Sequence, residues 1–422
     1  MIEPVVASLP QGAVHGTTDG KVCRFSAIPF ALPPVGDLRF RPPLPLQLEG
    51  VHDATRPGSI APQLPSRLRD AMGDFDEPQS EDCLQLTVWT PAADARLRPV
   101  VVWLHGGAWQ SGAGSLDWYS GDKLAARGDI VVVAPNYRLG ALGWLAVPGE
   151  TANVGLLDQE AALRWVRAHI EFFGGDPHRV TVMGQSAGAV SIPCMLMREP
   201  LFQRAIMQSA SIGRGFRAAD KAHEIAEIFL RAAGATNLDE ARQLPVQALL
   251  GAQRASSVVD WLASEGAPRS LFGPVADGEV LPKDPAAALL RAAGRVDVLV
   301  GYTHDEMAAF PEQGMGDAAH ALGDQIYGAP SRQWAEDATM LGPKAWAYRF
   351  DHRPNETFGA CHCIELPFVF DMVQAFRDAP MLHGLKQNDA ERLTAQMQKA
   401  WIDFVRNGDA GWAPWPHQQI VA

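Results

Sequence analysis

The segment that most constrains the fold of this chain runs from Val180 to Ser191 and reads Val-Thr-Val-Met-Gly-Gln-Ser-Ala-Gly-Ala-Val-Ser. A β-branched run, a Gly-x-Ser-x-Gly pattern and then small residues predict a strand, a sharp turn and a helix. Glycine is needed at 184 and 188 because a side chain there would strike the adjacent strand or helix. We therefore expect the Ser186 hydroxyl to lie exposed above the carboxyl edge of a sheet, beside the first amide of the helix.

The same five-residue pattern can also be a simple Gly/Ser turn with no chemical role. The preceding segment, Phe172–Pro177, reads Phe-Phe-Gly-Gly-Asp-Pro, and its glycines and proline end a helix and lead the chain into the strand. This agreement between neighbouring signals favours Ser186 as a nucleophile.

Length and charge exclude several classes of protein. A chain of 422 residues with 47% hydrophobic and 20% charged residues is sufficient for one large α/β domain or two ordinary ones. Its apolar runs are shorter than the roughly 18 residues that span a membrane, and its first residues lack the pattern of an export signal, so we expect a cytoplasmic protein without a membrane partner. A net charge of −12 and the absence of a basic stripe argue against a nucleic-acid partner.

The five cysteines, an odd and scattered set, are expected to be reduced thiols. The segment Cys361-His-Cys363 suggests a zinc site, but adjacent residues do not easily converge on one ion. We therefore predict neither a metal nor an organic cofactor.

Strands that alternate with helices predict a mostly parallel sheet flanked by helices. Val100–Leu104 and Ile130–Ala134 are unbroken apolar runs typical of strands covered on both faces. Asp158–Phe173 has the period of an amphipathic helix. We also predict a hairpin near the N-terminus (13–16 with 22–25) and a half-buried strand (84–89). Later in the chain we predict three helices (221–233, 241–255 and 285–293) and two strands (296–300, and 346–350 as the last core strand). A closing helix is predicted over 388–407.

The segment His105-Gly-Gly-Ala-Trp109 follows the buried strand at 100–104. Paired glycines at such a position let backbone amides face a cavity, so Gly106 and Gly107, with Ala187, are candidates for a three-amide oxyanion hole. An ordinary strand-ending turn is the alternative.

A serine hydroxyl needs a base to take its proton, and the base needs an acid to fix its tautomer. In an α/β-hydrolase the order along the chain is serine, acid, histidine, on loops after later strands. Asp305 and Glu306 meet the requirement for the acid, whereas the order leaves both His352 and His362 as candidates for the base.

Four blocks give the sequence a resemblance to a known family, and with later blocks they span nearly the whole chain. They are 33–40 (Pro-Pro-Val-Gly-Asp-Leu-Arg-Phe), 81–88 (Glu-Asp-Cys-Leu-Gln-Leu-Thr-Val), 105–108 (His-Gly-Gly-Ala), and 173–177 leading to 185–188 (Gln-Ser-Ala-Gly). The sequence resembles the type-B carboxylesterases, the α/β-hydrolase group that includes bacterial p-nitrobenzyl esterases, mammalian carboxylesterases and cholinesterases.

The resemblance implies a role for each candidate residue. Ser186 would be the nucleophile, Glu306 the acid and His362 the base, because the family pattern places Glu-Leu-Pro-Phe after its histidine. It also implies Gly106, Gly107 and Ala187 as the oxyanion donors. Two pairs would be structural salt bridges near the gorge floor: Arg39 with Glu81, and Arg138 with Asp158.

The sequence departs from the family pattern at several points. Met307 replaces the glycine after the acid, so Asp305 stays a weak alternative, and Ala61 stands where a disulfide partner of Cys83 would be. We expect one catalytic domain over 1–422, with cap segments at 211–295 and 311–345. The second of these is shorter than usual, which predicts a shortened helical cap and a wider mouth.

These features predict a serine carboxylic-ester hydrolase that forms an acyl-enzyme with a small-molecule ester. Candidate pocket residues are the aromatic side chains Trp109, Trp118 and Phe310, with Tyr119 and Trp261 as further possibilities. The alternatives are a non-catalytic binding module on the same fold, or hydrolysis of a related acyl bond such as an amide, thioester or carbonate.

Overall fold

The computed structural model describes residues 2–266, 270–310 and 312–422. The strands are numbered in chain order: β1 Glu3–Leu9, β2 Gly12–Thr18, β3 Cys23–Pro29, β4 Gly50–Asp53, β5 Gln85–Thr90, β6 Arg98–Leu104, β7 Val131–Pro135, β8 Gly175–Gln185, β9 Arg204–Gln208, β10 Arg217–Ala218, β11 Val275–Ala276, β12 Asp297–Thr303, β13 Ala345–Phe350 and β14 Gln418–Val421.

The α-helices are numbered in the same way: α1 Arg69–Met72, α2 Asp122–Gly128, α3 Gly140–Trp144, α4 Val154–His169, α5 Ala187–Leu196, α6 Ala219–Ala233, α7 Leu238–Arg242, α8 Val246–Ala252, α9 Ser256–Ser264, α10 Ala286–Ala293, α11 Asp317–Gly323, α12 Ala329–Leu341, α13 Leu366–Val369 and α14 Gln387–Asn407. A π-helical turn, Asp324–Gly328, joins α11 to α12. Among the described residues, no helix combines the length and apolarity needed to cross a membrane.

Twelve strands form one sheet in the order β1-β2-β3-β5-β7-β6-β8-β9-β12-β13-β14, with β4 beside β2. Neighbours from β7 to β14 run parallel, whereas those from β1 to β7 along this path run antiparallel. The predicted mostly parallel sheet flanked by helices is confirmed. Because parallel neighbours end at the same edge, the loops that follow β6, β8, β9, β12 and β13 meet there.

Both faces of the central strands are buried. Every residue of β6 and β7 is buried, as the unbroken apolar runs predicted. Strand β5 was expected to bury one face, but five of its six residues are buried, because Leu86 and Val88 pack into the core on one face and Trp89 packs into the core on the other. The side chains Leu393, Met397, Trp401 and Phe404 of α14 pack into the core.

Two predicted elements differ from the structure. Strand β13 is not the last core strand, because β14 pairs with it in parallel at Ala347–Gln418 through Phe350–Val421. The helix expected over 241–255 is divided into α7 and α8, with Pro245 directly before α8. Proline lacks the amide that a continuous helix would need there.

The two predicted cap segments, 211–295 and 311–345, contribute to different parts of the molecule; residues 267–269 and 311 of these segments lie outside the described residues. Helix α12 packs on β12 and β13, and α10 packs on α5, so both belong to the layers that flank the sheet. Helix α6 packs on α8 and α9 instead. The division into domain and cap remains a prediction.

Two salt bridges join distant parts of the chain, as the resemblance implied: Arg138–Asp158 is buried, and Arg39–Glu81 is largely buried. Arg39 binds both carboxylate oxygens of Glu81 at 2.6 Å and donates to the carbonyls of Arg242 (2.7 Å) and Leu244 (2.6 Å), and it thereby holds the end of α7 against the N-terminal region. Arg138 binds the fully buried Asp158 through Nε at 2.8 Å and Nη2 at 2.6 Å.

Arg138→Met is expected to lower the free energy of unfolding by roughly 3–5 kcal/mol, because it leaves the Asp158 carboxylate buried without its cation. Urea unfolding measures this loss. The matched control is Arg332→Met, which breaks a pair with the half-exposed Asp324 and should cost less than about 1 kcal/mol. Equal losses in the two variants would contradict the structural role of the Arg138 pair.

Candidate active site

Ser186 occupies the strained turn between β8 and α5. Its φ of 54° and ψ of −118° are unusual for a residue with a side chain, and its amide donates to the carbonyl of Gln208 on the adjacent β9 at 2.9 Å. A Cβ on Gly188 would lie 2.0 Å from the carbonyl oxygen of Leu104, and one on Gly184 would lie 2.6 Å from Gly188. The predicted strand, turn and helix are therefore confirmed, with both glycines required by close packing.

Glu306 and His362 are brought together by the adjacent strands β12 and β13. His362 Nδ1 lies 2.5 Å from Glu306 Oε2, and both side chains are buried. The amide of Asp305 donates to the carbonyl of Ala360 at 2.8 Å, so the two loops continue the parallel pairing of their strands. Glu306 Oε1 also accepts from the amide of Thr303 at 2.9 Å, which fixes the carboxylate.

Asp305, the alternative acid, does not contact His362. Its Oδ1 is bound by His304 (2.9 Å), His320 (2.8 Å) and Arg353 (2.8 Å), and its Oδ2 accepts from the amide of Ala360 (2.8 Å). The ligand atoms of His304, Asp305 and His320 lie within 4.8 Å of one another, as those of a metal site would. However, the Arg353 guanidinium already contacts both Asp305 and His304, so hydrogen bonds and an ion pair account for this cluster.

His352, the alternative base, lies away from this pair. Burial lowers its pKa, and the charges that act on it belong to Asp389 and Arg392 of α14. Of the two histidines left open by chain order, only His362 contacts a candidate acid. Cys361 and Cys363, beside it, are free buried thiols.

The opposite edge of the His362 ring lies toward the turn at Ser186. Its Nε2 is 3.1 Å from Nε2 of Gln185, the residue before Ser186. Tyr327 and Phe310 flank the ring at centroid distances of 5.0 and 5.7 Å. Ser186 and His362 line one cavity, although no hydrogen bond joins them within the described chain.

The loop after β6 has an unusual backbone. Gly107, Ala108 and Trp109 have φ values of 108°, 56° and 59°, and the carbonyl of Gly107 accepts from the amide of Gln110 at 3.0 Å. Gly107, Ala108 and Ala187 line the cavity beside Ser186, whereas Gly106 does not. A Cβ on Gly106 would lie 2.4 Å from Gln185 Oε1, so Gly106 permits close packing against the turn. Ala108, and not Gly106 as predicted, lies with Gly107 at the cavity wall.

His105 supports this loop from below. The His105 ring stacks on Tyr137 at a centroid distance of 4.3 Å, and its Nδ1 lies 2.8 Å from the carbonyl of Gly106. The Tyr137 hydroxyl donates to the backbone carbonyl of His105 at 2.7 Å. Burial lowers the pKa of His105 to about 4, so the ring is neutral at pH 7. His105 therefore has a structural role.

The cavity at this edge has a volume of about 280 Å³. Trp109 and Phe310 line it as predicted, but Trp118 lies elsewhere, because its ring stacks on Phe376 at 5.0 Å and meets Phe75 edge-on at 5.5 Å. Sequence reasoning missed several polar or aromatic lining residues, which lie in loops or short helical turns without a recognisable motif: Ser211, Arg214, Gln253, Arg254 and Tyr327.

Met307, which departs from the family pattern, is accommodated by burial. It lies in a small apolar cluster with Tyr302, Ile326 and Tyr327, and it also reaches the cavity wall. The loop that carries Glu306 thus holds a side chain where the pattern has glycine. Cys83 is a free buried thiol, and Ala61, at the other position of the family disulfide, is also buried.

A second carboxyl group lies behind the pair. Glu365 Oε1 accepts from Gln208 Nε2 at 3.0 Å, and its Oε2 has no partner among the described residues. Burial, and then the charge of Glu306, raise the pKa of Glu365 to about 7. Between about pH 4.5 and 7 the folded protein therefore retains a proton that the unfolded chain releases, and stability falls as pH rises.

Glu365→Gln is expected to remove this loss of stability, which is on the order of 3 kcal/mol. Urea unfolding of both proteins at pH 5 and pH 8 gives the measurement. The variant should gain stability relative to the parent at pH 8 and show a smaller difference between the two pH values. An unchanged pH dependence would show that Glu365 does not titrate in this range.

Comparisons with known proteins agree with the fold. The sequence profile of the Carboxylesterase family matches residues 3–320 and 310–419. A probable N-octanoylanthranilate hydrolase of Rhodococcus erythropolis is 39% identical over 99% of this chain and 95% of its own, and the para-nitrobenzyl esterase of Bacillus subtilis is 35% identical over 96% and 90%. A solved PNB esterase structure superposes with a TM-score of 0.88 at 31% identity, over 99% of this chain and 95% of that one. The chain is therefore an α/β-hydrolase and belongs to the carboxylesterase family.

Proposed function

We propose that the protein is a serine carboxylic-ester hydrolase in which Ser186 is the nucleophile, His362 the base and Glu306 the acid. The observation that carries the proposal is the buried Glu306–His362 contact of 2.5 Å at the wall of a cavity that also contains Ser186 on its strained turn. A carboxylate on Nδ1 leaves Nε2 of the neutral ring free to accept a proton.

The reaction begins when His362 Nε2 exchanges its contact with Gln185 for one with the Ser186 hydroxyl. Catalytic hydrogen bonds commonly form only when substrate is bound. Ser186 Oγ attacks the ester carbonyl while His362 takes its proton, and the carbonyl oxygen becomes negatively charged. His362 then returns the proton to the departing alcohol, and water repeats the sequence on the acyl-enzyme.

The donors to the negatively charged oxygen are proposed to be the amides of Gly107, Ala108 and Ala187. Ala187 begins α5, where the amide has no acceptor within the helix. Within the described chain, neither Gly107 nor Ala108 donates its amide to a protein acceptor. Loss of one such donor commonly costs about 10²- to 10³-fold in turnover.

The substrate is proposed to be a small ester, because a relative is a para-nitrobenzyl esterase. The relative named as an N-octanoylanthranilate hydrolase makes amide hydrolysis by the same residues a second candidate, since that compound is an amide. We also propose a cytoplasmic location, because all five cysteines are free and buried, as suits a reducing compartment.

A fluorophosphonate probe tests the nucleophile, because it phosphonylates an activated serine and not an ordinary one. We expect one equivalent of label, located on Ser186 by peptide mass spectrometry. Ser186→Ala should lose the label. Ser191→Ala should keep it, because that hydroxyl lies in α5 and donates to the Ala187 carbonyl at 3.1 Å. An unlabelled parent protein would favour a non-catalytic binding module.

A further inference from the structure

Three arginines and no acidic side chain line the described part of the catalytic cavity: Arg67, Arg214 and Arg254. This is unexpected in a chain with a net charge of −12. Positive charge concentrated in a cleft raises the local concentration of anions. The charge of the cavity lining is therefore opposite in sign to the net charge of the protein.

Arg214 lies close to the catalytic base. Its Nη2 donates to the Tyr327 hydroxyl at 3.3 Å, its guanidinium lies 5.9 Å from the centre of the Tyr327 ring, and that ring lies 5.0 Å from His362. No salt bridge to Arg214 occurs among residues 2–266, 270–310 and 312–422. Burial raises the pKa of Tyr327 to about 12, so the phenol is neutral and does not cancel the charge of Arg214.

Arg254 and Arg67 differ in their partners. Arg254 is exposed at the cavity, and its side chain forms neither a hydrogen bond nor a salt bridge with any described residue. Arg67 is bound by Glu312 at 3.0 Å, which neutralises it. Two of the three guanidinium groups thus face the cavity without a carboxylate.

We propose that the enzyme prefers substrates that carry a carboxylate near the scissile bond, and that Arg214, assisted by Arg254, binds this group. The inference rests on the proposed function of Ser186. A guanidinium can donate two parallel hydrogen bonds to a carboxylate, and such bonds are stronger than those between neutral groups. The carboxylate would lie near Tyr327, whose hydroxyl Arg214 already contacts, on either the acyl or the alcohol side of the ester.

Two pairs of esters test the preference on each side of the bond. For the acyl side, mono-p-nitrophenyl glutarate is compared with its methyl ester, hydrolysed at the p-nitrophenyl bond. For the alcohol side, 2-acetoxybenzoate is compared with methyl 2-acetoxybenzoate. The quantity measured is the ratio of kcat/KM for the acid to kcat/KM for its methyl ester, so general damage to catalysis cancels.

In at least one pair we expect this ratio to be lowered about 10- to 100-fold by Arg214→Gln, the range typical of a hydrogen bond to a charged group. Arg254→Gln should lower it less because that side chain is exposed, and added salt should lower it in the parent enzyme. Arg127→Gln is the matched control: it removes an arginine from an exposed pair with Asp371 away from the cavity lining, and it should leave the ratio unchanged.

A ratio that stays the same in Arg214→Gln, Arg254→Gln and the double variant, in both pairs, would overturn the inference. If the fluorophosphonate still labels Ser186 in that case, the proposed hydrolase function stands and only the carboxylate preference is wrong. Failure of the labelling itself would instead refute the proposed function.

Discussion

Ser186→Ala is expected to lower kcat for p-nitrophenyl ester hydrolysis by about 10⁶-fold. Alanine removes the oxygen that is proposed to form the acyl-enzyme, and no other described hydroxyl lies on the strained turn beside His362. The Gly107, Ala108 and Ala187 amides are retained, so residual hydrolysis above the rate in water should remain. Because substrate binding does not require the hydroxyl, the variant should still bind ester.

Steady-state kinetics with p-nitrophenyl acetate measure this loss, and ligand-induced quenching of tryptophan fluorescence measures binding. The control is Ser191→Ala, a serine five residues further along whose hydroxyl is buried against its own helix and does not line the cavity. Ser191→Ala should stay within about threefold of the parent. A Ser186→Ala enzyme with more than a tenth of the parent activity would rule out the acyl-enzyme mechanism.

The sequence predicts the parts of the site that are determined by local chemistry. The turn at Ser186 is readable because small residues are required at Gly184 and Gly188, and the structure has the expected strand, turn and helix. The order of the chain narrowed the base to two histidines, and the contact of His362 with Glu306 separates them. The roles of these residues in catalysis stay predictions until the variants are measured.

The parts that sequence reasoning missed depend on tertiary structure. Ala108 has a positive φ, which the sequence does not reveal because the residue is not a glycine. The turn in the loop after β6 places it at the cavity wall. Arg214 and Tyr327 are more than a hundred residues apart and meet across the cavity. Strand β14 is a short run at the sheet edge, and its pairing with β13 is not visible in its own composition.

Trp118 illustrates the opposite error. It was a candidate for the substrate pocket as one of several aromatic side chains that could line it. The structure instead packs its ring between Phe376 and Phe75. A hydrophobic side chain can satisfy either role, and composition does not distinguish a cavity wall from the core.

Glu306→Gln is expected to lower kcat by about 10⁴-fold while leaving the fold intact. In the proposed mechanism the carboxylate accepts the Nδ1 proton of His362, which leaves Nε2 free to take the proton of Ser186. A glutamine can donate its amide to Nδ1 instead, which stabilises the tautomer that has a proton on Nε2 and cannot act as the base. The loss should appear in kcat and in the rate of fluorophosphonate labelling.

Asp305→Asn tests which of the two adjacent carboxyl groups is the acid, and it is the matched control for Glu306→Gln. Asp305 binds His304, His320 and Arg353 and receives the amide of Ala360, but it does not contact His362. We therefore expect the kcat of Asp305→Asn to fall less than about tenfold. Its thermal stability should be lower, because the buried Asp305 side chain loses the charge that pairs with the partly exposed Arg353. If Asp305→Asn lost about 10⁴-fold and Glu306→Gln remained active, the acid would be Asp305. The 2.5 Å contact between Glu306 and His362 would then be structural.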